Sequence, residues 1–330
     1  MSLPQLLRDN LSLPVIGSPM FIVSNPELVI EQCKAGIVGA FPALNARPQE
    51  VLEQWLQRIT TELAAYKAAN PGRKVAPFAV NQIVHASNPR LQHDIELCVK
   101  YKVPVVITSL RAPDAAVEAA HSYGGLVFHD VTTIQHARRA LKAGVDGLIL
   151  VCSGAGGHAG RLSPFALVPE VRAFYDGTII LSGAIAGGDA ILAAQAIGAD
   201  LAYIGTRFIA TREANAPEAY KQALVSSTAA DIVYSSLFSG VHGNYLRSSI
   251  VAAGMDPDNL PEGNKASMDF GAGADPATGG AKAWRDIWGA GQGTGQIHDV
   301  PATAELVARL QREYQTARGR VLGEGQARAA

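Results

Sequence analysis

The chain has 330 residues, 48% of them hydrophobic, and its 28 lysines and arginines nearly balance 29 aspartates and glutamates. That length can bury a sizeable core as one large domain or two smaller ones. A near-neutral chain without a basic run offers no electrostatic footprint for nucleic acid or an anionic membrane, so small molecules are the expected partners.

Met1 to Asn10 is broken by Pro4 and by charge before a signal-peptide core could form, and no apolar run reaches the length of a membrane span. A cytoplasmic location is expected. Cys33, Cys98 and Cys152 are odd in number and far apart, which argues against a disulfide framework and against a zinc site.

After a short amphipathic opening, Pro14 to Met20 is an apolar run stopped by Ser18-Pro19, which predicts a buried parallel strand with Met20 at its carboxyl end. Asn25-Pro26 opens a helix that Gly36 ends, and Ile37 to Phe41 is a second short strand. A long helix follows Arg47-Pro48, with Val51, Leu52, Trp55, Leu56, Ile59 and Leu63 spaced for one buried stripe. The third strand is Pro77 to Asn81 and the fourth Val103 to Ser109, with a helix from His93 to Tyr101 between them. Gly125 to His129, Gly147 to Val151, Thr178 to Ser182 and Leu201 to Thr206 complete the count. Helical patterns at 133–143, 169–175 and 189–197 separate these last four.

Eight short apolar strands alternating with helices predict an α/β protein of the (β/α)8 TIM barrel class. A doubly wound open sheet is the alternative. The count of eight, and the polar or glycine residues at nearly every strand's carboxyl end, favour the barrel; so does the lack of a Gly-x-Gly-x-x-Gly after the first strand. Beyond Glu213 the pattern changes. Residues 215–284 read as a smaller, mainly helical inserted capping domain, with helices at 217–226 and 246–252 and a loop-rich stretch from Pro257 to Gly280. The barrel then comprises residues 1–214 and 285–330, the latter holding a helix from Pro301 to Arg320 and a frayed tail after Gly323.

The sixth strand leads directly into Cys152-Ser153-Gly154-Ala155-Gly156-Gly157-His158-Ala159-Gly160-Arg161. Glycines at a strand end leave backbone N–H groups free to approach an anion or a flat ring, and an imidazole there can exchange protons near neutral pH. A Gly-rich surface loop with an incidental histidine would look the same in isolation. The loops after strands seven and eight, Ser182 to Gly188 and Gly205-Thr206-Arg207, can present N–H groups to a phosphate. Tight turns alone would also account for Gly183 and Gly205. A flat ring at the same mouth would meet Met20, Asn81, Ser109, His129 and Gly156, a mixture suited to an isoalloxazine.

These features together resemble the nitronate monooxygenase family, formerly called 2-nitropropane dioxygenases. The residues that carry the likeness are Met20, Asn81, the Ala155 to Gly160 loop, Ser182-Gly183-Ala184-Ile185, Ala199 to Phe208 and Ala290-Gly291-Gln292. The resemblance implies an FMN-dependent (β/α)8 barrel with an inserted domain. It implies FMN contacts from Asn81, Gly156, Gly157, Ser182, Gly183, Ala184, Tyr203, Ile204, Gly205 and Thr206, beside Met20 and His129, and an active-site role for His158. Three positions depart from the pattern often found in monooxygenase members, which carry Gln at the place of Val151, an acid at Gly154 and glycine at Ala184.

The activity implied is oxidation of alkyl nitronates by O2 to a carbonyl compound and nitrite, with His158 removing the proton beside the nitro group of a neutral nitroalkane. Relatives on the same scaffold imply an alternative, in which NAD(P)H reduces the flavin and a quinone or enoyl thioester is the acceptor. A binding module without turnover is a third. His129 or Arg207 is available for the flavin's pyrimidine edge, although Arg207 can equally pair with Glu213 or another carboxylate and His129 can be a hydrogen-bonded strand-end residue. Leu237, Phe238 and Tyr245 are candidates for the substrate pocket's wall or for a small core within the insertion.

Overall fold

The apolar runs become the staves of a parallel barrel. A computed structural model describes residues 3–263, 281–282 and 284–324. Its strands in chain order are β1 (Val15–Gly17), β2 (Gly39–Pro42), β3 (Phe78–Val84), β4 (Val105–Leu110), β5 (Leu126–Val131) and β6 (Gly147–Val151). The two-residue β7 (Gly157–His158) belongs to a second sheet, and β8 (Thr178–Ser182) and β9 (Leu201–Ile204) return to the first. Neighbours pair in parallel from β2 through β6 to β8, β9 and β1. The ring closes where Gly17 N–H donates to the Val38 carbonyl at 2.7 Å and Val38 N–H to the Val15 carbonyl at 3.1 Å.

Side chains along a strand alternate between faces, which fixes what each one meets. Ile16, Ala79, Val105, Ile107, Phe128, Ile149, Ile180, Leu201 and Tyr203 fill the barrel, and Leu7 of α1 (Gln5–Asn10) joins them. Phe41, Val80, Val106, Val127, Leu148, Leu150, Ile179 and Leu181 face the helices instead. Continuing the inward parity toward the carboxyl ends brings Asn81, Ser109, Asp130, Val151 and Ser182 to the top of the barrel, where such folds build their sites.

The helical layer comprises α2 (Pro26–Lys34), α3 (Val51–Ala69), α4 (Leu91–Lys100), α5 (Asp114–His121), α6 (Ile134–Lys142), α7 (Pro164–Arg172), α8 (Gly188–Ala196) and the short α9 (Thr206–Ile209). Asn25 caps α2, its Oδ1 accepting from Leu28 N–H at 2.9 Å, and Thr133 caps α6, accepting from His136 N–H at 3.2 Å. Three elements differ from the sequence expectation, the first being the short α9, which begins at Thr206 where the sequence predicts the end of the eighth strand. α5 is an additional helix, and α7 starts at Pro164, where proline at the first helical position needs no N–H, and absorbs Pro169 within the helix. Among the described residues no helix is long and apolar enough to cross a membrane.

After β9 the chain forms α10 (Glu218–Val225), β10 (Ile232–Ser235), β11 (Gly243–Leu246) and α11 (Arg247–Ala252) before the closing α12 (Thr303–Leu322). Beside its two helices this segment carries a small antiparallel sheet, β10-β11-β7, which no sequence pattern announced. Much of the expected loop from Pro257 to Gly280 lies outside the described residues. Leu237, Phe238, Tyr245, Ile250 and Ile287 form a separate buried cluster there, so the first three build the segment's own core rather than a pocket wall.

Candidate active site

The loop after β6 is braced on three sides. Gly154 and Gly157 have φ of 82° and 68°, a left-handed backbone that glycine adopts without a Cβ penalty. The Gly154 carbonyl accepts from Ala184 N–H at 3.2 Å and from Gln292 N–H at 2.9 Å. Asn244 on β11 donates its Nδ2 to the Ala155 carbonyl at 2.7 Å, while Gly157 and His158 pair with Asn244 and Gly243. A methyl on Gly156 would lie 2.8 Å from both Gly291 N and Thr206 Oγ1, so the loop can approach its neighbours only as glycine.

These contacts frame a cavity of about 580 Å³ at the carboxyl ends of the strands. Of the residues singled out from sequence, Met20, Asn81, Ser109, Gly156, Gly157, His158, Ser182, Gly183, Ala184, Tyr203, Gly205 and Thr206 line it. Gly240, Val241 and His242, with Trp284, supply wall from the segment after β9. Ile204 and His129 do not line it, because their parity turns them outward. Ile204 is in the apolar layer with Leu306 and Leu310 of α12. His129 is buried, with Nδ1 hydrogen-bonded to Thr108 Oγ1 at 2.8 Å, and burial pushes its imidazole down to about 4.

Arg207 is also committed elsewhere. Its guanidinium is buried against Asp299, Nη2 donating to Oδ1 at 2.8 Å, and Asp299 in turn holds Arg309. Glu213, offered from sequence as its partner, instead accepts from Thr303 N–H and Oγ1 at the start of α12.

The floor holds a polar chain whose end was not expected. Asn81 Nδ2 donates to Ser109 Oγ at 2.9 Å, and Ser109 Oγ donates to Asp130 Oδ2 at 2.6 Å. Asp130 Oδ1 and the Tyr203 hydroxyl are buried without a hydrogen-bond partner. Asp130 keeps some accessible surface where it borders the cavity, and protein encloses it elsewhere. Burial pushes its carboxyl up to about 6, against the Ser109 hydrogen bond, which favours the charged form. The apolar run predicts a strand ending at His129; β5 runs on to Val131, and Phe128 inside the barrel implies Asp130 inside it too.

Donors for an anion lie on the β8 and β9 side. The backbone N–H groups of Gly183, Gly205 and Thr206 donate to no protein acceptor among the described residues. Two other amides of these loops are taken: Ala184 N–H by Gly154, and Gly188 N–H by Glu313 Oε2 of α12 at 2.9 Å. Ala184 has φ of 54°, a conformation that costs a residue with a Cβ roughly 1 kcal/mol or more and glycine almost nothing. The glycine common at that position in monooxygenase members thus has a backbone reason.

His158 stands where the loop meets the segment after β9. Its Nε2 lies 2.8 Å from Ser239 Oγ. Ser239 Oγ also donates to the Val241 carbonyl at 3.0 Å, and since a carbonyl only accepts, the single hydroxyl proton is used there. Nε2 therefore carries the ring proton and donates it to Ser239, leaving the lone pair on Nδ1. The Tyr245 hydroxyl, 3.3 Å from Ser239 Oγ, completes the set. Trp284 packs edge-on against the imidazole at 5.2 Å between centroids. Burial pushes His158 down to about 4, so it is neutral at neutral pH. Ser239 is 81 residues from His158 in sequence, and only the antiparallel pairing of β7 with β11 brings them together.

The family described as nitronate monooxygenase matches residues 7–313. A nitronate monooxygenase of Paraburkholderia phytofirmans is 29% identical, the match covering 91% of this chain and 92% of the relative. Among solved structures, a nitroalkane oxidase from Streptomyces ansochromogenes superposes with a TM-score of 0.77 at 24% identity over 96% of this chain and all of the other. FabK from Thermotoga maritima gives a TM-score of 0.75 at 22% identity over 97% of each chain. The two structural likenesses show the barrel fold; with the family match over nearly the whole length, they leave one conclusion. The chain belongs to the nitronate monooxygenase family of flavin-dependent oxidoreductases.

Proposed function

We propose that the chain binds FMN in this cavity and uses it, with O2, to oxidise alkyl nitronates to a carbonyl compound and nitrite. One observation carries the reading. A single cavity has unclaimed backbone donors at one side and, at another, an imidazole held so that its Nδ1 lone pair is free. The residues fit FMN. A phosphate would take the N–H groups of Gly183, Gly205 and Thr206, and Met20, Asn81, Ser109 and Gly156 line the same cavity with the mixture of apolar surface and hydrogen-bonding groups that a flat ring needs. Bound there, FMN supplies the electron acceptor that O2 reoxidises.

The chain's own groups then divide the remaining work. For a neutral nitroalkane, His158 accepts at Nδ1 the proton from the carbon beside the nitro group. Ser239 meanwhile holds Nε2–H and so keeps the ring in the right tautomer. A nitronate arrives without that proton and needs no base. Trp284, which borders the cavity and packs edge-on against the imidazole, limits water around it. A low-dielectric wall strengthens the attraction between the imidazolium formed and the nitronate anion beside it.

Acid release of the flavin from purified protein, chromatographed against FMN and FAD, tests the cofactor, and nitrite release from propyl-2-nitronate in air tests the reaction. One FMN per chain and nitrite formation are expected. FAD, or a flavin-loaded protein that forms no nitrite, would overturn the reading.

A further inference from the structure

We propose that Asp130 is a flavin-facing carboxyl that couples the reduction potential of the bound cofactor to pH, with Ser109 and Asn81 as its positioning residues. The inference rests on the reading that the cavity holds FMN. Asp130 comes from the barrel interior to the cavity floor, and a hydroxyl-amide chain from β4 and β3 fixes one of its oxygens. The other oxygen is buried and unpartnered, as is the phenol of Tyr203 from β9. No protein donor among the described residues pairs with either of them, so a charge on Asp130 is met only by the Ser109 hydroxyl, while the residue itself borders the cavity.

Charge decides which end of the cofactor lies there. A phosphate would be repelled by a carboxylate, whereas free amides await it at Gly183, Gly205 and Thr206 on β8 and β9. The uncharged ring is therefore the end over Asp130. Reduction adds electron density to that ring. An ionised carboxylate beneath it opposes the gain and a neutral carboxyl does not, so reduction and protonation of Asp130 favour each other by the same factor.

The groups around Asp130 that could mimic the effect can be named. Tyr203 on β9 is held well above its ordinary value by burial and stays neutral. His158 and, on the outward face of β5, His129 are both pushed down to about 4 and stay neutral above pH 5. His136 on α6 also borders the cavity, hydrogen-bonded to Thr132 Oγ1 at 3.2 Å, and is the titratable group to separate. Ser109, Asn81, Thr132 and Val151 carry no charge.

The test is the flavin's midpoint potential, measured by equilibration with a reference dye from pH 5 to 9 in the holoprotein and in Asp130→Asn and His136→Gln. Asparagine keeps an oxygen to accept from Ser109. Wild type and Asp130→Asn should converge near pH 5. Above pH 7 the variant should favour reduction about tenfold or more, with a shallower dependence on pH, and His136→Gln should follow wild type. Identical curves for wild type and Asp130→Asn overturn the inference, as does a variant that is harder to reduce. Should Asp130→Asn lose its flavin, Ser109→Ala decides. Losing the donor that favours the carboxylate must move the steep region of the curve to higher pH, and an unmoved curve overturns the inference. A protein that takes up no flavin overturns the functional reading together with this one; a loaded protein whose potential ignores Asp130 overturns this one alone.

Discussion

Ser239→Ala removes one oxygen and disturbs three groups. In the native site that oxygen accepts from His158 Nε2–H at 2.8 Å, lies 3.3 Å from the Tyr245 hydroxyl and donates to the Val241 carbonyl at 3.0 Å. Without it, Nε2–H is left unpaired beside Trp284, at a cost of about 1–3 kcal/mol, which is roughly a 5- to 150-fold loss of preference for the productive tautomer and ring orientation. The imidazole can then carry its proton on Nδ1, where it cannot act as a base. Steady-state nitrite release from 2-nitropropane should fall by some tens of fold, while release from propyl-2-nitronate should change by less than about threefold, because the nitronate has already lost its proton. Flavin content, read from the visible spectrum, should be unchanged. Equal losses on both substrates would refute the reasoning and assign Ser239 to binding, and no loss on either would refute the tautomer argument itself.

His158→Ala should retain FMN and lose about 10² to 10⁴ in rate on neutral nitroalkanes with a much smaller loss on nitronates, the two measured side by side in the nitrite assay. Gly183→Ala should lower FMN occupancy, since the added Cβ would stand 2.7 Å from the Ser153 carbonyl at a φ of 146°; equilibrium titration of apoprotein followed by flavin fluorescence reads it. Because the His158 pKa is depressed to about 4, the base form persists as pH falls and is lost only near that value, so the acid limb on nitroalkanes should lie near pH 4 rather than 6.5. Trp284→Ala, by admitting water to the imidazole, should move that limb upward in the same pH-rate profile.

What the sequence disclosed follows from how each feature is encoded. Buried parallel strands are short apolar runs, so Thr178–Ser182 and Gly147–Val151 are legible from composition alone. The short α5 buries only Ala116, Val117 and Ala120, side chains too small to announce a core-facing helix. Side-chain parity is the subtler loss. With β5 ended at His129, that residue looked like the strand's last word at the mouth, whereas two further residues put Asp130 inside and His129 outside. Ile204 fails by the same parity, and Arg207 by facing Asp299 from the outward side of α9. Ser239 carries no local signature at all; its role exists only through the pairing of β7 with β11.

Mixing the flavin-loaded protein with propyl-2-nitronate under nitrogen, and separately with NADH, shows which of the two reduces the flavin. Rapid loss of the flavin's visible absorbance with the nitronate, its return on admitting O2, and little change with NADH over the same period are expected. Rapid bleaching by NADH, with none by the nitronate, would contradict the proposed function and place the chain among NAD(P)H-dependent reductases.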